Sequence, residues 1–224
     1  MKIGAIIQAR MSSKRFPGKV LHKVAGKPML QYLLEGMEHC KNLDTIVVAT
    51  SVADSDSAIE DHCKEFGVSC VRGSLDNVAA RFVEVLDKFE FEAFVRLNGD
   101  SPLLDYRIVT LAVDTFRAGS YDLVTNVLKR TFPKGQSVEV IRTETFLNTY
   151  PLIHSSHDRE HVTSYFYNHQ SDFSIFNFEL EKSQGHVQLS VDTLNDMRKF
   201  DIIADSLRKP HWEYTFEEVL GLLR

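Results

Sequence analysis

Four cations fall within ten residues near the start of the chain: Arg10, Lys14, Arg15 and Lys19, in the run Ala9-Arg10-Met11-Ser12-Ser13-Lys14-Arg15-Phe16-Pro17-Gly18-Lys19. Two hydroxyls and a glycine sit among them, and no carboxylate precedes Glu35. An oligophosphate needs such a mixture, because backbone amides and cations together neutralise several negative oxygens. A solvated basic loop is the alternative, but clustered cations with no acid to pair them favour anion binding. The run is not a Walker A loop, since GxxxxGK[ST] is absent, and no GxGxxG occurs either.

Two carboxylates complete the picture. Asp100 lies in Arg96-Leu97-Asn98-Gly99-Asp100-Ser101-Pro102, a Gly/Pro-shaped turn after an apolar run. Alone it would be read as a turn or helix cap. Asp192 also follows an apolar run, in Leu189-Ser190-Val191-Asp192-Thr193, but Thr193 is already the plausible cap of the next helix. The Asp192 carboxylate is left without a local structural task. Two carboxylates facing a basic loop are the elements of a Mg²⁺–triphosphate site, since Mg²⁺ is held by one or two carboxylates plus phosphate oxygens and water.

Positioning these groups requires strand ends, and the hydrophobic pattern supplies them. Residues 2–8, 45–50, 68–71, 93–97 and 122–126 read as strands, alternating with helical periods over 28–40, 54–66, 77–89 and 105–118. Asp54 or Ser55 is the expected cap of the second helix and Asp105 that of the fourth. This alternation predicts an α/β fold, a Rossmann-like, mostly parallel sheet flanked by helices, whose ligands bind beyond the carboxyl ends of the strands. After residue 126 the rhythm changes: strands at 135–142 and 173–180 surround helical 143–150 and 158–169. A last strand at 187–191 and closing helices at 193–207 and 215–223 follow. The expected organisation is one domain over 1–224 with a small inserted lobe at 128–182.

The totals narrow the classes. The chain has 224 residues and a formal net charge of −5, yet residues 1–30 hold seven bases and no acid. An acidic body argues against nucleic-acid binding. No apolar run approaches the ~18 residues that span a bilayer, so no membrane association is expected. The acid-free start is not a transit peptide, because Pro17, Gly18, Gly26 and Pro28 break the helix such a peptide needs. Cys40, Cys63 and Cys70 contain no CxxC and read as buried free thiols of a cytoplasmic protein. His154, His157 and His161 lack a zinc-ligand spacing. Asp54-Ser55-Asp56 is a DxD, a manganese motif in glycosyltransferases, but it opens a helix and is better read as capping. Phe166, Tyr167, Phe173, Phe176 and Phe178 are expected in the core or at a contact between copies.

The residues in order resemble a known family. Gln8-Ala9-Arg10 through Arg15-Phe16-Pro17-Gly18-Lys19, then Gly26-Lys27-Pro28, is similar to the opening of sugar-acid cytidylyltransferases, which include the 3-deoxy-octulosonate and acylneuraminate enzymes. The SpsF-like spore-coat polysaccharide branch resembles it most. Asn98-Gly99-Asp100-Ser101-Pro102 looks like the family's aspartate motif and Val191-Asp192-Thr193 like its second metal aspartate. Gly73-Ser74, Asn77-Val78 and Arg81-Phe82 resemble a branch motif, as does Arg159-Glu160-His161-Val162-Thr163. One departure stands out: the branch reads Gly-x-Asp-x-Glu where this chain has Gly135-Gln136-Ser137-Val138-Glu139.

The resemblance implies a nucleotide-diphospho-sugar transferase type of fold and transfer of CMP from CTP to a small sugar acid, for surface polysaccharide synthesis. It implies Arg10 and Lys19 as catalytic cations and Asp100 and Asp192 as ligands of Mg²⁺, with Mn²⁺ as the alternative ion. Ala9, Met11, Ser12, Ser13 and Arg15 would hold the nucleotide with Asn98 and Gly99, with Arg72, Asp76 or Arg81 near the base. Glu139, Arg159, Glu160 and His161 would meet the acceptor, and the lobe would make a homodimer. A glycosyltransferase using a finished nucleotide sugar and a non-catalytic binding homologue are the competing expectations.

Overall fold

The apolar run after the N-terminus becomes the central strand. In the computed structural model, which describes residues 1–223, β1 (Ile3–Gln8) is buried along all but its last residue. A hairpin of β2 (Lys23–Val24) and β3 (Lys27–Pro28) precedes α1 (Met29–Glu38). Next come β4 (Thr45–Ser51), α2 (Ser57–Phe66), β5 (Ser69–Gly73), α3 (Val78–Lys88), β6 (Ala93–Asn98) and α4 (Tyr106–Ala118). The chain continues through β7 (Leu123–Thr125), β8 (Glu139–Arg142), α5 (Thr143–Thr149), α6 (Ser156–His161), α7 (Ser164–Asn168) and β9 (Ile175–Asn177). It closes with α8 (Leu194–Ser206) and α9 (Phe216–Gly221).

The sheet has seven strands in the order β5-β4-β1-β6-β8-β7-β9. β5, β4, β1 and β6 are mutually parallel, β8 runs against both its neighbours, and β9 is again parallel to β7. From β1 the chain winds outward to β4 and β5, then α3 carries it back across to β6 on the other side of β1. The strand order therefore reverses between β1 and β6, whose last residues Gln8 and Asn98 are paired. A crevice must open there, where the loops leave the two strands in opposite directions.

Alternation along the strands divides the core into two layers. Ile3, Ala5 and Ile7 pack with Leu30, Leu33, Val109 and Phe200 under α1, α4 and α8. Ile6, Val47 and Phe94 pack with Phe82, Phe146 and Phe166 under α3, α5 and α7. Caps set several helix starts: Asn77 Oδ1 accepts from Ala80 N, Asp105 from Arg107 N, and Thr193 and Thr215 form capping boxes with Asp196 and Glu218.

The second half departs from expectation in three places. Residues 122–126 do not pair with β6; β7 runs in the same direction as β6 but lies beyond the reversed β8, which inserts between them. The segment 128–182 is thus woven into the sheet, contributing β8 and the edge strand β9. The helix expected over 158–169 is two short ones, broken at Val162, whose φ of +43° no helix accommodates. Residues 187–191 make only an isolated bridge at Gln188, because their amides bond to Lys134 and Asp100 instead of a strand. No helix among the described residues is long and apolar enough to cross a membrane.

Candidate active site

The basic loop folds around its own backbone. Ala9 N bonds to Ala49 O, prolonging the register with β4, and the Met11 carbonyl then accepts from both Ser13 N (3.0 Å) and Gly18 N (2.8 Å). Met11 N in turn donates to Asp56 Oδ1 at 2.8 Å. Asp56 is fully buried and its other oxygen accepts from Thr50 Oγ1, Ser51 N and Ser51 Oγ. The DxD is therefore no helix cap: Asp54, Ser55 and Asp56 cap nothing with their side chains, and Asp56 is the strut that fixes the loop to β4. Gly18, at φ +76°, starts the tight turn from Lys19 to Leu21 that aims the Lys19 side chain back under the loop.

Lys19 is the centre of the site. Its side chain is 8% exposed, and Nζ donates to Asp100 Oδ2 (2.9 Å), Asp192 Oδ1 (3.1 Å) and the Val191 carbonyl (2.6 Å). Arg15 Nη2 reaches the same Asp192 oxygen at 2.9 Å. The two aspartates come from the loop after β6 and the turn before α8, and Val191 N bonding to Asp100 O at 2.8 Å ties those segments together. Asp196, not Asp192, completes the capping box with Thr193, which frees Asp192 to face Lys19. Two carboxylates and two cations leave the knot close to neutral until a charged ligand arrives.

Around it opens a cavity of about 970 Å³. On the β1 side Arg10 Nη2 pairs with Glu160 Oε1 of α6 at 2.7 Å. Arg81 of α3 lines the cavity but is 2% exposed, and its Nε and Nη1 have no hydrogen-bond partner. Burial and the neighbouring Arg10 cation push this guanidinium below its ordinary value. The floor is a buried network: Arg96 Nη1 to Glu139 Oε2 at 2.5 Å, Arg96 Nε to Gln8 Oε1 at 3.1 Å, and Tyr167 Oη donating to Glu139 Oε1 at 2.5 Å. Burial and the Glu139 charge push the Tyr167 phenol well above its ordinary value, so it stays a donor. On the β8 side stand Arg130, Lys134, Ser137 and Ser190.

Of the residues expected at the site, the cavity brings together Ala9, Arg10, Ser13, Arg15, Lys19, Asp76, Arg81, Asn98, Gly99, Asp100, Asp192, Glu160 and His161. Glu139 lines it too, but its carboxylate is held by Arg96 and Tyr167 and is not free for an acceptor. Arg72 lies elsewhere: it donates to the carbonyls of Ser51 and Ala53, to Ser57 Oγ and to Glu60, clamping β5 onto α2. Arg159 and Ser12 are exposed and outside the cavity, and Met11, half-buried against the core, also lies outside it and serves through its backbone. Arg96, Arg130, Lys134 and Ser190 were not anticipated. The sequence did carry a signal for two of them, because Lys129, Arg130 and Lys134 fall within six residues without an acid.

The donor set suits a hard divalent ion. Oxygens of Asp100 and Asp192 converge within 3.1 Å of one point, which the Lys19 ammonium occupies. No group of three or more His, Cys, Asp or Glu residues that could hold a metal occurs among the described residues. Such a pair matches Mg²⁺ or Mn²⁺, which take carboxylate oxygens and complete their shells with ligand oxygens and water.

Residues 4–220 match the family model described as cytidylyltransferase. Among relatives, the spore coat polysaccharide biosynthesis protein SpsF of Bacillus subtilis (strain 168) is 31% identical over 201 residues, 85% of this chain and 81% of that protein. A 3-deoxy-manno-octulosonate cytidylyltransferase of Chlamydia trachomatis serovar A is 36% identical over 138 residues, 59% of this chain and 52% of that one. Among solved structures, a cytidylyltransferase from Leptospira borgpetersenii serovar Hardjo-bovis superposes with a TM-score of 0.95 at 28% identity, covering 100% of this chain and 94% of that one.

Proposed function

The chain belongs to the cytidylyltransferase family of CTP-dependent nucleotidyltransferases, and from that premise we propose that it transfers CMP from CTP to a hydroxyl of a small sugar acid, releasing pyrophosphate. The observation that carries this reading is the convergence of Lys19, Asp100 and Asp192 within 3.1 Å at the point where the strand order reverses. The relatives named for spore coat polysaccharide and for 3-deoxy-manno-octulosonate support a sugar-acid acceptor and a role in surface polysaccharide synthesis.

In this reading the acceptor oxygen attacks the α-phosphorus and negative charge grows on the pyrophosphate. Lys19, Arg15 and Arg10 are the cations placed to stabilise that charge, and their fixed positions spare the reorganisation that water would need. Binding first requires exchange: Arg10 leaves Glu160, and Lys19 turns from the aspartates toward phosphate oxygens. Asp100 and Asp192 would then hold Mg²⁺, which when bound polarises phosphoryl oxygens. A cytoplasmic homodimer is the assembly we propose.

The test is pyrophosphate release from each of the four NTPs with a panel of sugar acids. CTP with at least one acid should give release that requires a divalent ion. Equal release from all NTPs, or none with any acid, contradicts the reading.

A further inference from the structure

Eight cations line the cavity, and among the described residues four of them have no carboxylate within ion-pair distance: Lys14, Arg81, Arg130 and Lys134. Lys14 and Arg81 stand with the basic loop and α3, on the nucleotide's side. Arg130 and Lys134 stand at the opposite end, on the segment joining β7 to β8. A nucleotide held by the loop leaves these two unneutralised.

We propose that Arg130 and Lys134 form the subsite for the acceptor's carboxylate, with Ser137 as the residue that keeps it vacant for that group. The proposal rests on the CMP-transfer reading and names where its acceptor is held.

The segment carrying these residues is pinned. Lys134 N donates to Val187 O, and the Lys134 carbonyl accepts from Leu189 N (2.8 Å) and Ser190 N (3.0 Å). Gly135 has φ +97°, and a Cβ there would lie 2.5 Å from Ser190 N, so this close approach requires glycine. Gln136 is fully buried; its Nε2 donates to Leu103 O at 2.7 Å and its Oε1 accepts from Asp105 N at 2.9 Å. Asn126, also fully buried, accepts from Val138 N and donates to Gln136 O. The platform is thereby locked to the stretch after Asp100 and to the stretch before Asp192.

Ser190 is two residues from Asp192, a span of no more than about 7 Å, so Lys134 stands within a small sugar's reach of the Lys19 knot. Arg130 Nη1 donates to Ser137 Oγ at 2.9 Å. A hydroxyl orients the guanidinium without cancelling its charge, whereas an acid at this position would pair with it and close the subsite. The result is two positive charges on a rigid ledge, facing the reacting centre from the side away from the nucleotide. The complementary group is an anion on the acceptor, and a carboxylate is the one the CMP-transfer reading supplies.

The test loads the full chain with a non-hydrolysable CTP analogue and Mg²⁺, then titrates three series by calorimetry. These are sugar acids including 3-deoxy-manno-octulosonate, the matching sugars without the carboxylate, and sugar phosphates. An acid should bind in preference to its neutral counterpart. Its Kd should rise about 10-fold or more in Arg130→Gln, Lys134→Gln and Ser137→Asp. The Kd of the CTP analogue should stay within about twofold of wild type, because the basic loop is untouched. In turnover the same variants should raise the acid's KM more than they lower kcat. Unchanged acid binding in all three variants overturns the subsite, as does binding of sugar phosphates in preference to acids, or of no acid at all. Failure of wild type to bind the CTP analogue is a separate result, which removes the CMP-transfer reading itself.

Discussion

The two ends of the cavity hold positive charge differently, for the β1 end sets three ion-paired cations beside the unpaired Lys14 and Arg81, whereas Arg130 and Lys134, before β8, are both unpaired. At the β1 end, Arg10, Arg15 and Lys19 are paired with Glu160, Asp192 and Asp100 before any ligand enters. At the β8 end, Arg130 and Lys134 have only a hydroxyl and solvent for partners. Paired cations can be kept in a buried site without a large desolvation penalty, as the 8% exposure of Lys19 illustrates. They must then be exchanged for the ligand, which makes binding a competition. Unpaired cations near solvent need no exchange and select by charge alone. Under the proposed function, one pocket would combine a nucleotide end that exchanges ion pairs with an acceptor end that does not.

The largest break in this comparison is Lys19→Met. It removes the ammonium that bridges Asp100 and Asp192, and kcat/KM should fall by about a thousandfold, the upper range for losing a charge-stabilising group. Circular dichroism should show the fold retained, since the knot lies beyond the strand ends. A fall of less than tenfold would mean that Lys19 merely neutralises the aspartates.

A second prediction sets the pH window in which the two ends can be compared. His211 is buried under α1, with Nε2 against Tyr32 O at 2.7 Å and Nδ1 facing Glu35, with Lys27 nearby. Burial is the main cause that lowers its pKa to about 4. The unfolded chain takes up this proton near pH 6.5 and the folded one only near 4, so the contribution is complete above about pH 6.5 and is lost as pH falls toward 4. Stability by urea denaturation should drop by roughly 3 kcal/mol across that interval, and His211→Gln should flatten the slope. An unchanged slope in the variant would assign the drop to other groups.

The smallest effect sharpens the gated end. Glu160→Gln removes the anion that competes for Arg10. Because both side chains are about one-third exposed, CTP affinity should rise only about two- to fivefold. If Glu160 instead holds the acceptor, as the family resemblance implies, the acceptor's KM rises and CTP affinity stays put.

Much of the site was legible because its charges follow apolar runs, where the side-chain type is informative without knowledge of direction. The loop from Arg10 to Lys19, Asp100 and Asp192 were all visible in this way. Direction is what misled elsewhere. Arg72 lies on β5, yet its guanidinium turns to α2. Arg159 and Glu160 are neighbours on a short helix and so point about 100° apart; only Glu160 faces Arg10. The DxD of Asp54-Ser55-Asp56 reads as capping because local pattern cannot show that the partners of Asp56, namely Thr50, Ser51 and Met11, come from other elements. The parallel half of the sheet followed from strand–helix alternation, but the reversed β8 is fixed by pairing with Arg96, 43 residues away, which no local period encodes.

In the proposed function the Lys19–Asp100–Asp192 centre moves the cytidylyl group of CTP to a sugar acid. The most direct measurement follows CTP labelled at the α-phosphorus in the presence of Mg²⁺ and the sugar-acid panel. Label should appear in a new sugar nucleotide, in step with pyrophosphate release, and Lys19→Met should lower both together. Label that stays in CTP, or that passes only to free CMP with every acid, would contradict it.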